Sequence, residues 1–177
     1  ASDNTGGFVI AWADDRNGDC NNYTQKLDLD GVLQWNGDGV AVCTQANYQL
    51  SPKVASDGAG GAIIAWNDKR ADEYADDIYA QKVSASGIPL WTEDGVPICT
   101  APFMQVDATI ATDGLGGAII TWKDERTGIR PDIYCQRVES TGETIWAENG
   151  LAVCVEGEDQ TNPKTISDDA YGAFIVW

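Results

Sequence analysis

The sequence predicts an all-β protein built from repeated four-stranded units. An eleven-residue motif recurs four times in phase, and short apolar segments alternate with turn residues. No stretch keeps the spacing of about 3.6 residues between apolar side chains that marks an amphipathic helix. With 43% hydrophobic residues and seven tryptophans among 177 residues, the chain can bury a core despite its charge.

The recurring motif defines the units. Each copy starts with Ser or Thr followed by Asp and ends on a tryptophan, and the four tryptophans are 54, 56 and 55 residues apart. We therefore expect unit 1 over residues 2–55, unit 2 over 56–111, unit 3 over 112–166, and the start of a fourth unit over 167–177.

Unit 2 shows the four strands that we expect in each unit. A brief strand over 53–55 ends at a Ser-Asp-Gly turn, and an apolar run follows over 62–66. The segment 77–83 alternates between two faces, as a strand does. A short apolar run over 96–99 completes the unit. Turn residues separate these segments, so we expect consecutive strands to pair antiparallel.

Four short antiparallel strands in about 55 residues are typical of a β-propeller blade. A β-solenoid has shorter coils, and a separate sandwich of this size could not bury both faces. We therefore predict a propeller-like array. Three blades do not close a ring, because propellers have about four to eight. We expect either a longer native chain or an assembly of copies, and the repetition of 2–12 as 167–177 favours the longer chain.

The units share the pattern Ser-Asp-Gly-x-Gly-Gly-Ala-Ile-Ile-x-Trp-x-Asp-x-Arg, then Asp-Ile-Tyr-x-Gln-x-Val, Gly-x-x-x-Trp and Gly-Val-x-x-Cys. This pattern resembles repeats of large secreted or cell-surface bacterial proteins, which often carry propeller-like arrays ahead of a C-terminal anchoring region. The resemblance covers essentially the whole chain. It implies a propeller-like fold and a secreted or extracellular cell-surface location, but no particular activity.

The charge and composition exclude several functions. A formal charge of −17, from 28 acidic and 11 basic residues, repels nucleic acids and anionic membranes. No run approaches the roughly 18 apolar residues of a membrane span. The absence of histidine excludes Ser-His-Asp and Cys-His catalysis and His-ligated zinc. The expected partners are copies of the chain, further repeats or glycans.

An aspartate and an arginine follow the motif tryptophan in three units, two and four residues after it. Because every unit repeats them, we interpret them as a structural clamp in which Arg forks onto a carboxylate beside an aromatic ring. The alternative is a ring of ligand sites. The pairs are Asp14 with Arg16, Asp68 with Arg70, and Asp124 with Arg126. The Ser/Thr-Asp pairs that open the motif predict Asx turns.

The loops that follow these arginines differ in length and charge, so a ligand would be recognised there. The loop of unit 2 carries the candidate binding residues Asp72, Glu73, Tyr74 and Asp76.

Metal and thiol chemistry have little support in the sequence. Calcium is the one candidate cofactor, although no acidic loop has EF-hand spacing, and we predict no metal site. The acidic residues that calcium would use are Asp28, Asp30 and Asp38 in unit 1 and Glu73, Asp76 and Asp77 in unit 2.

One cysteine recurs at the same position of each unit, and we expect these cysteines to be small buried residues. They are Cys43, Cys99 and Cys154. A disulfide between Cys135 and Cys154 remains an alternative.

These observations favour a non-enzymatic extracellular module for adhesion, scaffolding or filament building. The alternative is a carbohydrate-binding, lectin-like propeller in which Trp35, Trp91 and Trp146 stack on sugars, although their recurrence suits core packing equally well. A glycoside hydrolase of propeller fold is a third hypothesis, because carboxylates are abundant. No residue of the repeated pattern breaks the symmetry as a catalytic residue should, so we predict none.

Overall fold

The structure of the chain is a computed structural model that describes all 177 residues. It confirms the all-β class, because its regular elements are thirteen strands in four antiparallel sheets. No helix in it could cross a membrane.

Each sheet is a simple meander in which strands that follow one another in the chain are neighbours. Sheet 1 contains β1 (Phe8–Asp14), β2 (Asn21–Leu27) and β3 (Val40–Cys43). Sheet 2 contains β4 (Gln49–Ser56), β5 (Ala62–Asp72), β6 (Ala75–Val83) and β7 (Val96–Cys99). Sheet 3 contains β8 (Gln105–Thr112), β9 (Ala118–Asp124), β10 (Asp132–Val138) and β11 (Leu151–Cys154). Sheet 4 contains β12 (Lys164–Ser167) and β13 (Ala173–Val176).

Strand β7 has the predicted limits, whereas β4, β5 and β6 are all longer than predicted. The sequence indicated the first strand only over 53–55. Pro52, which precedes this segment, cannot donate a backbone hydrogen bond within a sheet. In the structure β4 begins at Gln49, and its pairing with β5 shifts between Leu50 and Lys53. This β-bulge accommodates the proline.

The core lies between consecutive sheets. One cluster joins sheets 1 and 2, and a larger one joins sheets 2 and 3. Strand β5 contributes to both, with Ile64 facing sheet 1 and Ile63 facing sheet 3, and both side chains are fully buried. A strand covered on both faces needs a continuous apolar run, which explains the lack of alternation over 62–66.

The first strands of the sheets bring successive units together: β4 lies against β1 and β8, and β8 lies against β12. Hydrogen bonds reinforce this arrangement. The indole Nε1 of Trp35 donates to the carbonyl of Ala85 at 3.0 Å, and that of Trp91 donates to Ser140 at 3.0 Å. Each tryptophan therefore belongs to one unit and bonds to the next.

Two lysines also donate hydrogen bonds from one unit to the next. The Lys26 ammonium group donates to the carbonyl of Gly60, and that of Lys82 donates to Gly116, both at 2.8 Å. Lys26 also forms an ion pair of 2.9 Å with the buried Asp3. The hydroxyl of Thr5 and this ammonium group lower the pKa of Asp3 well below its usual range.

The motif aspartates form the predicted Asx turns. In unit 2 the Oδ1 atom of Asp57 accepts hydrogen bonds from the backbone N–H groups of Ala59 and Gly61, both at 2.8 Å. The same pair of bonds occurs at Asp3, Asp113 and Asp168. This side chain closes the turn between the first and second strands of sheets 2, 3 and 4, and in sheet 1 it closes the turn that precedes β1.

Candidate functional site

The largest concave surface lies among the loops that differ between units. Two clefts meet at Phe103, one of about 430 Å³ beside the β5–β6 hairpin and one of about 290 Å³ beside the β9–β10 loop. We call them together the loop-face groove. Its polar lining includes Asp72 and Asp77 on one side of Phe103 and Glu125 and Arg130 on the other.

Phe103 is an exposed aromatic residue on a fixed loop. Its side chain is 58% exposed, and its backbone is left-handed, with φ of 63°. The amide of the fully buried Gln105 donates to the carbonyls of Pro102 and Phe103 at 3.1 and 3.3 Å. The ring lies above Gly128, where a Cβ atom would be only 3.0 Å from it. The loop therefore presents a preformed apolar surface.

The four predicted binding residues do not lie together in the structure. Asp72 lines the groove and accepts a hydrogen bond of 2.9 Å from the backbone N–H of Tyr74. Glu73 and Tyr74 are exposed at the hairpin tip, and Tyr74 is 80% exposed. Asp76 is buried, accepts a hydrogen bond from Asn67 at 3.3 Å, and lies 3.5 Å from the Lys69 ammonium group. These contacts direct Asp76 away from a ligand role.

Asp77 is the carboxyl group of the groove whose pKa is clearly perturbed. Burial raises its pKa to about 6, and the carboxylate of Asp68, its partner across the β5–β6 pair, acts in the same direction. Arg70 opposes this rise. Unit 1 has Asn21 at the equivalent position, paired with Asp14. The groove therefore contains one carboxyl group that holds its proton close to neutral pH.

We expect the Asp77 carboxyl group to contribute less to stability as the pH rises from about 4 to about 6. The folded state keeps the Asp77 proton up to a pKa of about 6, whereas the unfolded chain releases it near 3.8. Replacing Asp77 by Asn should raise the free energy of unfolding at neutral pH by on the order of 2 kcal/mol. Urea unfolding across this pH range measures the effect, with Asp72→Asn as control. Equal pH slopes in Asp77→Asn and the unmodified protein would contradict it.

The Trp-Asp-Arg clamp lies directly behind the groove. In unit 2 the buried Asp68 accepts hydrogen bonds from the Trp66 indole at 2.6 Å and from Arg70 Nε and Nη2 at 2.8 and 2.6 Å. The Arg70 guanidinium lies 3.8 Å from the centre of the Tyr79 ring, which lines the groove, and donates to the carbonyl of Asp94 at 2.8 Å. Nε and Nη2 of the guanidinium are thus engaged within the protein.

Units 1 and 3 repeat this geometry. Arg16 and Arg126 pair with their aspartates at 2.5 and 2.6 Å and stack on Tyr23 and Tyr134. In unit 1 the pair is more open to solvent, and the Arg16 guanidinium lowers the pKa of Asp14 well below its usual range. All six predicted clamp residues therefore form intramolecular ion pairs.

The cysteines are free thiols, so the alternative disulfide between Cys135 and Cys154 does not form. Cys43 and Cys99 are buried and lie 3.2 and 3.5 Å from Nη2 of Arg70 and Arg126, the clamp arginines of the following units. Burial raises the pKa of both thiols to about 12. They are protonated packing groups rather than nucleophiles.

The remaining candidates do not form a site. Trp35 and Trp91 are buried, so they offer no ring face to a sugar, and Trp146 is half-buried. The structure contains no group of three or more His, Cys, Asp or Glu side chains that could hold a metal ion. Phe103 was missed by sequence reasoning, since its equivalents are Asn47 and Glu158 and no motif marks the position.

Comparisons with known proteins find similarity at the level of structure. No protein-family model matches the chain, and a search of curated proteins finds no match. A solved structure of Penicillium chrysogenum α-L-arabinanase, complexed with arabinobiose, superposes with a TM-score of 0.50 at 10% sequence identity. The alignment covers 97% of this chain and 53% of the arabinanase, so the chain spans about half its length. At this identity the similarity concerns the fold.

This comparison corrects the functional prediction. The sequence favoured a non-enzymatic module for adhesion, scaffolding or filament building, and that prediction is wrong. The arabinanase structure that superposes on this chain holds arabinobiose, which fits the carbohydrate alternatives better. The error has a physical origin: the repeated pattern contains no catalytic candidate, whereas the loops between the repeated strands carry unrepeated residues such as Phe103.

Proposed function

We propose that the protein is a carbohydrate-binding β-propeller segment whose four sheets are blades and whose ligand is an oligosaccharide in the loop-face groove. The observation that carries this proposal is Phe103, an exposed ring held between two clefts with polar linings. Sugars present an apolar face of C–H groups and a rim of hydroxyl groups. A fixed aromatic ring covers the first, and carboxylates accept hydrogen bonds from the second.

The polar groups of the groove suit a neutral sugar. Asp72 and Asp77 supply acceptors on one side of Phe103, and Glu125 and Arg130 supply an acceptor and donors on the other. Tyr74 stands on the hairpin next to Asp72 and adds a second exposed aromatic ring. We propose a secreted or cell-surface location, following the resemblance to repeats of such bacterial proteins. Arabino-oligosaccharides are the first ligands to test, because the protein of similar fold holds arabinobiose.

Replacing Phe103 by alanine is expected to weaken oligosaccharide binding at least about tenfold, because a central aromatic contact typically supplies more than ~1.4 kcal/mol. Titration calorimetry or a glycan array measures this. The matched control is Phe8→Ala, since Phe8 is 50% exposed but lies on β1 outside the groove. Tyr74→Ala should have a smaller effect. Equal binding by Phe103→Ala and Phe8→Ala, or no binding by any glycan, would overturn the proposal.

A second candidate function is glycoside hydrolysis in the same groove. The observation that favours it is a pair of carboxyl groups in unequal environments: Asp77 with its pKa raised to about 6, and Asp72 exposed at the hairpin end. In a glycoside hydrolase, the carboxyl group with the raised pKa acts as the general acid beside a second carboxyl group. The assay is release of reducing sugar from arabinan. A hydrolase should lose turnover but keep binding in Asp77→Asn, whereas a binding protein releases no sugar before or after the substitution.

A further inference from the structure

A second, smaller cleft lies where three sheets meet. Its walls come from the first strands of sheets 2 and 3 and from the start of sheet 4, and its volume is about 120 Å³. This is the space of about four water molecules at ~30 Å³ each. We call it the convergence cleft, and its polar lining residues are Ser51, Lys53, Asp107, Thr109, Asn162 and Lys164.

Three of these residues occupy one repeated position with unusual backbone geometry. Ser51, Asp107 and Asn162 all have left-handed φ angles, of 54°, 57° and 57°. The first two lie at β-bulges, where the pairing of β4 and β8 shifts register. Non-glycine residues adopt this conformation at an energetic cost, and such positions cluster at ligand sites. The three units supply a hydroxyl, a carboxylate and an amide, so the repeat symmetry is broken here.

The two lysines of the cleft differ from the other basic residues of the chain, because neither forms an ion pair. Nine of the 11 lysines and arginines form an ion pair with a carboxylate. The two that do not are Lys53 and Lys164, and both line the convergence cleft. In a protein with 28 acidic residues, two unpaired ammonium groups in one cleft leave a local excess of positive charge, because Asp107 is the one carboxylate of its lining.

The strands that carry the lining residues of the convergence cleft contact one another. The hydroxyls of Thr109 on β8 and Thr165 on β12 are 2.8 Å apart and form a hydrogen bond across the two sheets. Strand β4 lies against β8. The lysines at equivalent positions of β4 and β12 therefore stand on opposite sides of β8, facing a space that the fold itself holds open.

From this arrangement we infer that the convergence cleft binds a carboxylate-bearing sugar residue, with the carboxylate between Lys53 and Lys164 and the neighbouring hydroxyl groups on Asp107, Asn162 and Thr109. Two ammonium groups match one carboxylate. A carboxylate among the acceptors would repel a bare anion, but it suits a ligand that also offers hydroxyl donors. The volume accommodates a carboxylate and two adjacent hydroxyl groups in place of about four waters.

This site differs from the loop-face groove in residues and in ligand charge. The inference does not depend on the proposed binding of neutral sugars at Phe103. Phe103→Ala should therefore leave binding in the convergence cleft unchanged.

The test is NMR titration of the protein with D-galacturonate, with D-galactose, acetate and inorganic phosphate as comparison probes. Galacturonate should shift the backbone amide signals of Asp107 and Thr109, and galactose should not. Lys53→Gln and Lys164→Gln should each weaken galacturonate binding about tenfold, the loss of one charge-assisted contact. Lys123→Gln removes the same charge from β9 and should have no effect.

Asp107→Asn tests the hydroxyl acceptor, and it should fold normally because Asn162 has the same backbone conformation. We expect it to weaken galacturonate binding several-fold while leaving acetate binding no weaker. The inference is overturned if galacturonate does not bind or binds Lys53→Gln and Lys164→Gln as tightly as the unmodified protein. Acetate or phosphate binding as tight as that of galacturonate would overturn the assignment to a sugar.

Discussion

Replacing Asp68 by alanine is expected to reduce the free energy of unfolding by about 3–5 kcal/mol, which is the usual cost of removing one partner of a buried ion pair. The substitution leaves the half-buried Arg70 guanidinium without its counter-ion and the fully buried Trp66 indole N–H without its acceptor. The Asp68 side chain is fully buried, so water cannot replace it. Chemical denaturation of purified variants measures the loss.

The chain provides its own control for this prediction. In unit 1 Asp14 accepts hydrogen bonds from the Trp12 indole and from Nη2 of Arg16, but its side chain is 20% exposed and that of Arg16 is 35% exposed. Asp14→Ala should therefore reduce the free energy of unfolding much less, because water solvates the Arg16 guanidinium once its counter-ion is removed. Equal losses in the two variants would show that burial does not determine the strength of the clamp.

Replacing Gly61 by alanine is expected to destabilise the protein by about 2–4 kcal/mol through a steric clash. A Cβ atom at this position would lie 2.3 Å from the carbonyl oxygen of Val83 and 2.9 Å from the Asp57 carboxylate. The first neighbour is backbone of the adjacent strand, so the clash is relieved only by separating β5 from β6. A thermal unfolding series records the change in Tm.

Gly37 is the matched control for Gly61. It also lacks a left-handed φ, and a Cβ atom there would meet no other atom within 4 Å. Gly37→Ala should leave stability unchanged or raise it slightly, because alanine restricts the unfolded chain more than glycine does. A loss in Gly37→Ala as large as in Gly61→Ala would contradict the steric explanation.

The sequence predicted the features that repetition marks. Phasing of the motif located β5, β6 and β7 of unit 2, and the spacing of Asp68 and Arg70 after Trp66 identified a clamp that the structure forms as an ion pair. These features depend on local order along one strand and its neighbour. A side-chain period and a fixed offset are therefore sufficient to find them.

The candidate sites depend on positions where the units differ, and these leave no repeated signal. Phe103 occupies the place of Asn47 and Glu158, so only the folded chain shows that it separates two clefts. Lys53 and Lys164 were indistinguishable from other lysines until the ion pairs of the remaining basic residues were known. The bulges of β4 and β8 were likewise hidden, because a local change in register has no fixed sequence pattern.

The joints between units have a consequence for the evolution of the protein. Each joint uses donors from one unit and acceptors from the next, as Trp35 does with Ala85 and Trp91 with Ser140. Duplication or excision of one whole unit in the gene therefore recreates the same joint at the new boundary. The number of units can change by recombination without the appearance of any new interface, while the loops of each copy remain free to diverge.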